Sequence, residues 1–313
     1  MAFYLGIDGG GSKTSCVIGN EDRVLATATG GASNITRVGE ANARESLHQV
    51  ICEACDAAGI KPAELERACI GAAGAAREEI AAVIRRIVAE VIPGELQVVG
   101  DMEIALQAAF GAAPGIVVIA GTGSIAYGRD ADGRTARAGG WGFAISDEGS
   151  AHWIGRAAVA ALLREQDVSP SHASAKSSAL FREIEKIWKA DSLPHLARIA
   201  NSQPDFAALL PAVIAAADGD DALAKKNLLA AGAELAQLAA IVVRRIFQPS
   251  HANAGPVPVA MIGGVFRHAA LVREAFCGEL AKLNFNLKIN PEIVDPLQGA
   301  LALARRSASA ANL

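Results

Sequence analysis

Aromatic side chains are scarce, 4% of 313 residues, so the core has to be filled by small and branched aliphatic groups, and the abundance of alanine favours closely packed helices. Cysteine is equally sparse. Five cysteines, an odd number, in a chain too long to need covalent staples exclude a disulfide framework and point to a reducing, cytoplasmic setting. The one Cys-x-x-Cys, Cys52 and Cys55, falls mid-helix with no second pair, which reads as buried thiols rather than metal or redox chemistry. Neither sign of charge dominates: 29 Lys and Arg against 33 Asp and Glu give a formal net charge of −4, and no basic face stands out, which excludes a nucleic-acid partner. The basic pair Arg244-Arg245 reads as the solvated last turn of a helix. The most apolar tracts, 206–217 and 235–243, stop short of the roughly 18 residues that span a bilayer, so no membrane segment is expected. The first ten residues lack the basic start of a secretory leader. No His-x-Glu or clustered His/Cys pattern suggests zinc, and His152 reads as an ordinary helix residue.

What is present begins at Leu5-Gly6-Ile7-Asp8-Gly9-Gly10-Gly11-Ser12-Lys13-Thr14, an apolar run that delivers an aspartate into three glycines. Glycines let main-chain N–H groups approach an anion, while Ser12, Lys13 and Thr14 can add donors. The chain then continues as Ser15-Cys16-Val17-Ile18, which is β-rich, so this is a hairpin loop rather than the strand-to-helix turn of a P-loop or a dinucleotide fingerprint. The plan recurs at 115–128, where an apolar strand runs into Gly121-Thr122-Gly123-Ser124 and returns as a second strand. Two such hairpins in a chain of this length imply a duplicated α/β protein with two domains.

Two phosphate loops, together with Ala138-Gly139-Gly140-Trp141-Gly142, Ser146-Asp147-Glu148-Gly149-Ser150-Ala151, Gly30-Gly31-Ala32-Ser33-Asn34 and Ile262-Gly263-Gly264-Val265, resemble the BadF/BadG/BcrA/BcrD-type ATPases, in particular their N-acetylglucosamine and glucosamine kinase branch. The resemblance runs from residue 5 to about residue 300. It implies a two-lobed actin-like ATPase (ribonuclease H-like) fold, duplicated, with the ligand cleft between lobes. The expected domains are 1–112 with a returning C-terminal helix at about 298–313, and 113–297, divided at Gly111-Ala112-Ala113-Pro114-Gly115.

The same resemblance assigns roles. Asp8 would hold Mg2+, and Gly9, Gly10, Gly11, Ser12, Lys13 and Thr14 with Gly121, Thr122, Gly123 and Ser124 would cradle the phosphates of ATP. Gly263 and Gly264 would admit the nucleoside, although glycines after a buried strand also serve plain packing. Asp101, after the strand 96–100, would be the catalytic base, with a helix N-cap as its structural alternative. Asn34, Gly71, Ala72, Asp101 itself, Thr122, Gly140 and Asp147 would contact the sugar, Asp147 again having an N-cap alternative. Trp141 could line the sugar site or belong to a core or lid.

Further strands are expected at 24–29, 68–72, 96–100 and 257–262, and helices at 40–58, 77–91, 102–110, 151–163, 176–190, 204–217, 221–247, 267–283 and from about 297. Loops are expected at 167–172 and 248–256. The resemblance implies an ATP-dependent kinase for the 6-hydroxyl of an amino sugar, N-acetylglucosamine first, with glucosamine or N-acetylmuramate as alternatives and a homodimer as the assembly. A contrasting reading is an ATPase switch or activator. The activator branch carries an iron–sulfur cluster on cysteines near its phosphate loops, and no cysteine lies between residues 70 and 276 here.

Overall fold

The computed structural model describes residues 1–168, 178–202, 204–247, 255–283 and 285–306. They divide into two compact units, Met1–Ala113 with the segment from Val294 onward, and Pro114–Ile293. The segment 169–177, expected to contain a loop, most of 248–256 and the end of the last helix lie outside the described residues.

The first unit is built on β1 (Phe3–Gly9), β2 (Thr14–Gly19), β3 (Val24–Gly30), β4 (Leu65–Ala72) and β5 (Glu95–Gly100), in the order β3-β2-β1-β4-β5. The first three strands pair antiparallel through tight turns, while β1, β4 and β5 run parallel because helices connect them. Helix α1 (Ile35–Ala58) starts earlier than periodicity suggests. Asn34 caps it, and Gly39, at φ 78, interrupts its first turns and hides the pattern before residue 40. Leu47, Val50 and Ile51 of α1 and Ile84, Ile87 and Val88 of α2 (Glu78–Ala89) bury against Leu5, Ile7, Cys16 and Ile18 of the hairpin. The other face of the sheet packs Tyr4, Val17 and Cys69 on Ile104 of α3 (Asp101–Phe110) and on Leu301 of the last helix. Of the Cys-x-x-Cys pair only Cys55 is buried, its thiol pushed up to about 11 by burial, whereas Cys52 is exposed.

The second unit repeats the sheet. Strands β6 (Gly115–Ala120), β7 (Ser124–Arg129), β8 (Thr135–Gly139), β9 (Val257–Ile262) and β10 (Leu287–Val294) lie in the order β8-β7-β6-β9-β10, with β6, β7 and β8 antiparallel and β6 parallel to β9. Two of these strands escape sequence reading. The pattern of β8 is masked by small residues, and β10 contains Pro291, which an edge strand tolerates because one side of it has no ladder to feed. The helices among the described residues are α4 (Ala151–Val168), α5 (Ala179–Trp188), α6 (Leu193–Ala200), α7 (Leu210–Asp218), α8 (Ala222–Ile246), α9 (Gly264–His268) and α10 (Ala270–Ala281). Helix α6, unexpected from sequence, is capped by the Ser192 hydroxyl. The expected helix at 204–217 is divided, a 3-10 turn at Phe206–Leu209 preceding α7. The expected helix at 267–283 is likewise two helices, broken at Ala269.

Helix α8 corrects the reading of the apolar tracts, because its 25 residues are long and apolar enough by length and composition to cross a membrane. Its apolarity has another cause. Leu228, Leu235, Ala239, Val242 and Val243 are buried in the second unit's core with Ile116, Val118 and Phe276. Gly232 lets α10 approach so closely that a Cβ there would stand 2.5 Å from the Val272 carbonyl oxygen. The last helix, α11 (Pro296–Arg305), belongs to the first unit. A Cβ on Gly6 would lie 2.5 Å from Leu301 N, and one on Gly299 would lie 1.9 Å from the Ile104 carbonyl oxygen, so both glycines are set by this contact.

Candidate active site

In the first unit the loop after β1 is closed by Gly10 N–H donating to the Lys13 carbonyl at 3.0 Å. The Gly10 carbonyl accepts from Ser33 and Asn34 N–H, and the Gly9 carbonyl accepts from Ala73 N–H, so three chain segments meet at this loop. Gly9 is required by proximity, since a Cβ would stand 2.7 Å from Ser33 Oγ. Ser12 and Lys13 are exposed at the tip. Thr14, by contrast, is fully buried and its hydroxyl donates to Ser33 Oγ at 2.7 Å, which ties the loop to the Ser33–Asn34 segment. Asn34 Oδ1 accepts from Thr36 N–H at 3.1 Å as the cap of α1.

Asp8 lies opposite Gly71 across the parallel β1–β4 pair, and Ala72 opposite Gly100 across β4–β5. At the usual spacing of sheet strands, Asp101 therefore begins about 10 Å from Asp8, two strands across the same sheet end. Gly71 itself is a packing glycine: a Cβ would collide with the Ile104 side chain at 2.4 Å. The N-cap alternative for Asp101 is corrected by the geometry. Gly100 is the cap residue of α3, and Asp101 is the first helical residue, with Oδ1 accepting from the adjacent Met102 N–H at 3.0 Å. Both carboxylates reach solvent while protein surrounds them on most sides. Burial, then the charges of Asp101 and Asp295, raises the Asp8 pKa to about 7, with Lys13 partly offsetting the rise. Burial likewise raises Asp101, opposed by the backbone N–H groups of Met102 and Asp101.

Asp295 is the carboxylate that sequence reading missed. It caps α11, accepting from Leu297 N–H at 3.1 Å, and α11 packs on β1 and α3, which brings the cap within electrostatic reach of Asp8. The signal available was Asp295-Pro296, a cap followed by proline at the first helical position.

In the second unit Gly121 N–H donates to the Gly123 carbonyl at 2.9 Å, closing the second loop. The start of α4 sits on it, with Ala151 N–H donating to the Gly121 carbonyl and His152 N–H to that of Thr122. Ser124 is buried, and its hydroxyl donates to the Glu148 carbonyl at 2.7 Å. Asp147 is 7% exposed and left-handed, φ 65, and Gly142 N–H donates to its Oδ1 at 3.3 Å. The N-cap alternative for Asp147 is also corrected: Ser150 Oγ accepts from Trp153 N–H and caps α4. Gly140 is exposed and left-handed. Gly263 packs tightly, since a Cβ would stand 2.4 Å from the Ala120 carbonyl oxygen, whereas Gly264 opens α9 with no close neighbour. Trp141 is 67% exposed, and His152 lies between the rings of Phe143 and Phe206.

Among the described residues no group of three His, Cys, Asp or Glu side chains is placed to hold a metal by itself. The family comparison agrees with this two-loop geometry: the BadF/BadG/BcrA/BcrD ATPase family matches residues 5–304. The chain belongs to the BadF/BadG/BcrA/BcrD ATPase family. It is 32% identical over 309 residues to the N-acetylmuramic acid/N-acetylglucosamine kinase of Clostridium acetobutylicum, covering 97% of this chain and 99% of that protein. It is 26% identical over 318 residues to the N-acetyl-D-glucosamine kinase of Dictyostelium discoideum, with 97% and 98% covered. A crystal structure from Chromobacterium violaceum, described as a candidate N-acetylglucosamine kinase, superposes with a TM-score of 0.75 at 26% identity over 97% of this chain and 99% of that one. Membership of the BadF/BadG/BcrA/BcrD ATPases implies that ATP is used, and the two units have the α/β architecture of actin-like sugar kinases.

Proposed function

We propose that this chain transfers the γ-phosphoryl group of ATP to the 6-hydroxyl of an amino sugar, N-acetylglucosamine before others. The observation that carries the reading is the pair Asp8 and Asp101 at one end of the first unit's sheet, one beside a phosphate loop and the other raised by burial. Phosphoryl transfer needs positioning and charge neutralisation more than covalent help, and a carboxylate to take the acceptor's proton.

Asp101 is the base. Its raised pKa brings it nearer neutrality, where a carboxylate both ionises and accepts a proton usefully, and the proton of the 6-hydroxyl passes to Asp101 as the oxygen attacks phosphorus. The backbone of Gly9–Gly11 with Ser12 and Lys13, and that of Gly121–Gly123, hold the phosphates. Thr14 and Ser124 act indirectly, through the hydrogen bonds that shape those loops. Gly264 leaves room for the nucleoside, and Gly263 fixes β9 against the second loop. Asp147 and Asn34 are assigned to reading sugar hydroxyls, with Thr122 and Gly140 as further contacts, whereas Gly71 and Ala72 are buried and act only by shaping the sheet end.

A magnesium ion fits Asp8. This ion is ordinarily held by one or two carboxylates together with phosphate oxygens and water, so the lack of a complete protein cage is no obstacle. A carboxylate whose charge is opposed by burial, Asp101 and Asp295 gains by a nearby cation. When bound, magnesium would neutralise charge on the phosphates. A homodimer remains part of the proposal.

N-acetylmuramate is the second acceptor, a reading supported by the name of the Clostridium relative. A coupled assay with purified protein, ATP, magnesium and a panel of sugars tests the reading. Sugar-dependent ADP release with a phosphorylated product is expected. Nucleotide hydrolysis with no phosphorylated sugar would replace the kinase by a switch.

A further inference from the structure

The first phosphate loop holds two flanking segments side by side. Gly9 and Gly10 are adjacent in the chain; the Gly9 carbonyl accepts from Ala73 N–H at 3.0 Å, and the Gly10 carbonyl accepts from Asn34 N–H at 3.2 Å. The turn that follows β4 is thereby set next to the segment carrying Asn34, the residue assigned to a sugar hydroxyl. That turn closes through Ala75 N–H on the Ala72 carbonyl and Arg77 N–H on the Gly74 carbonyl, and it ends at Arg77, the residue before α2.

The Arg77 side chain crosses from one segment to the other. Its Nη2 donates at 3.2 Å to the hydroxyl of Thr36, two residues beyond Asn34 in the first turn of α1. Gly74, at φ 88, leaves space for it, since a Cβ there would stand 3.3 Å from the same nitrogen. Arg77 is exposed, and its guanidinium makes no ion pair among the described residues. Glu78 beside it pairs with Arg85, Glu40 pairs with Arg44 and Arg86, and the first turn of α1 contains no acid. One nitrogen of the guanidinium is thus oriented by Thr36 while the others stay uncommitted close to Asn34. A guanidinium presents its N–H groups as a planar fork that matches the two oxygens of a carboxylate. An amino sugar with a carboxylate on a short ether arm meets that fork when a ring hydroxyl is held at Asn34.

We infer that Arg77 is a specificity-determining residue of the acceptor site: its guanidinium, oriented by Thr36, pairs with the carboxylate of an acidic amino sugar. The inference rests on the kinase reading for the class of acceptor. Arg77 takes no part in the transfer itself, so a neutral acceptor, which has no charge to offer it, gains nothing from its presence.

Three probes test the assignment on the full chain: N-acetylmuramate, its methyl ester, which keeps the bulk and lacks the charge, and N-acetylglucosamine, which lacks the arm. Arg77→Gln is expected to raise the KM for N-acetylmuramate about fivefold, the upper range for an exposed ion pair, and to leave those for the ester and for N-acetylglucosamine within about twofold. Added salt should weaken binding of the acid alone in the wild type, and much less in the variant. Calorimetry with the same three sugars makes the comparison without turnover. An equal change for all three sugars would reduce Arg77 to a support of its turn and overturn the inference, as would no change for any of them. A wild type that phosphorylates N-acetylglucosamine but does not bind N-acetylmuramate would overturn it too, with the kinase reading intact. If no sugar is phosphorylated the kinase reading fails instead, and the calorimetric difference between acid and ester still decides the role of Arg77.

Discussion

The Asp147 carboxylate fills the space beside Gly123: a Cβ at that glycine would stand 2.8 Å from Oδ2. The second loop and the proposed sugar-reading carboxylate are thus in direct steric register. Gly123→Ala is expected to displace Asp147 and raise the sugar KM at least tenfold, with a smaller change in the ATP KM. Steady-state kinetics with each substrate varied in turn checks this, and equal rises in both constants would move Asp147 out of sugar recognition.

Gly121 gives the complementary case. A Cβ there meets no protein atom within 4 Å, and its φ is not left-handed, so Gly121→Ala leaves the fold intact. Its expected effect falls on the ligand, as a weaker affinity for ATP with an unchanged melting temperature. Calorimetry with a non-hydrolysable nucleotide and a thermal melt separate the two, and unaltered affinity would put the phosphates elsewhere.

Because Gly100 rather than Asp101 caps α3, and burial opposes the Asp101 charge, Asp101→Asn is not expected to lower the melting temperature. Loss of the base should lower kcat by about 10²–10⁴ while sugar and nucleotide affinities stay within a few-fold. Normal turnover in this variant would assign the base to another group, and Asp147→Asn measured alongside would show whether it is that one.

The pKa of Asp8, raised from the ordinary 3.8 to about 7, sets a pH dependence of stability in the metal-free protein. Between about pH 4 and 7 the folded state holds a proton that the unfolded state has released, so this group makes stability fall as pH rises through that window. Above about pH 7 the cost is fully present, and below about pH 4 it is gone. Asp8→Asn is therefore expected to melt higher than wild type at pH 8 and at nearly the same temperature near pH 4. Melting curves in chelator across this range decide it, and a constant difference at every pH would exclude Asp8 as the cause.

Ser33 and Thr14 share a buried hydrogen bond, and Ser33→Ala leaves the Thr14 hydroxyl without its acceptor. A cost of about 1–3 kcal/mol is expected in urea unfolding. Gly9→Ala should be milder in the Ser33→Ala background than alone, because the oxygen its Cβ would strike has been removed. Strict additivity of the two substitutions would contradict that contact.

Much of the fold is legible in the sequence because it is local. Each glycine-rich loop lies between two apolar runs that pair with each other, and helices alternate with the parallel strands, so Asp8, Asp101 and both loops are found where strands end. Elements whose pattern is diluted are not legible: β8 is made of small residues, β10 carries a proline, and Gly39 conceals the start of α1. The sequence by itself determined the duplicated hairpins, the α/β alternation and the carboxylates at the sheet ends. Only the tertiary structure decided that Gly100 and Ser150 are the caps, that the Thr14 hydroxyl is spent inside the protein, and that Gly71 and Gly263 are held by packing. It alone brought Asp295 to Asp8 from the far end of the chain. The reason is physical: periodicity and turn residues act over a few positions, whereas a hydroxyl's partner, a glycine's clearance and a carboxylate's pKa depend on atoms that only the packed fold brings near.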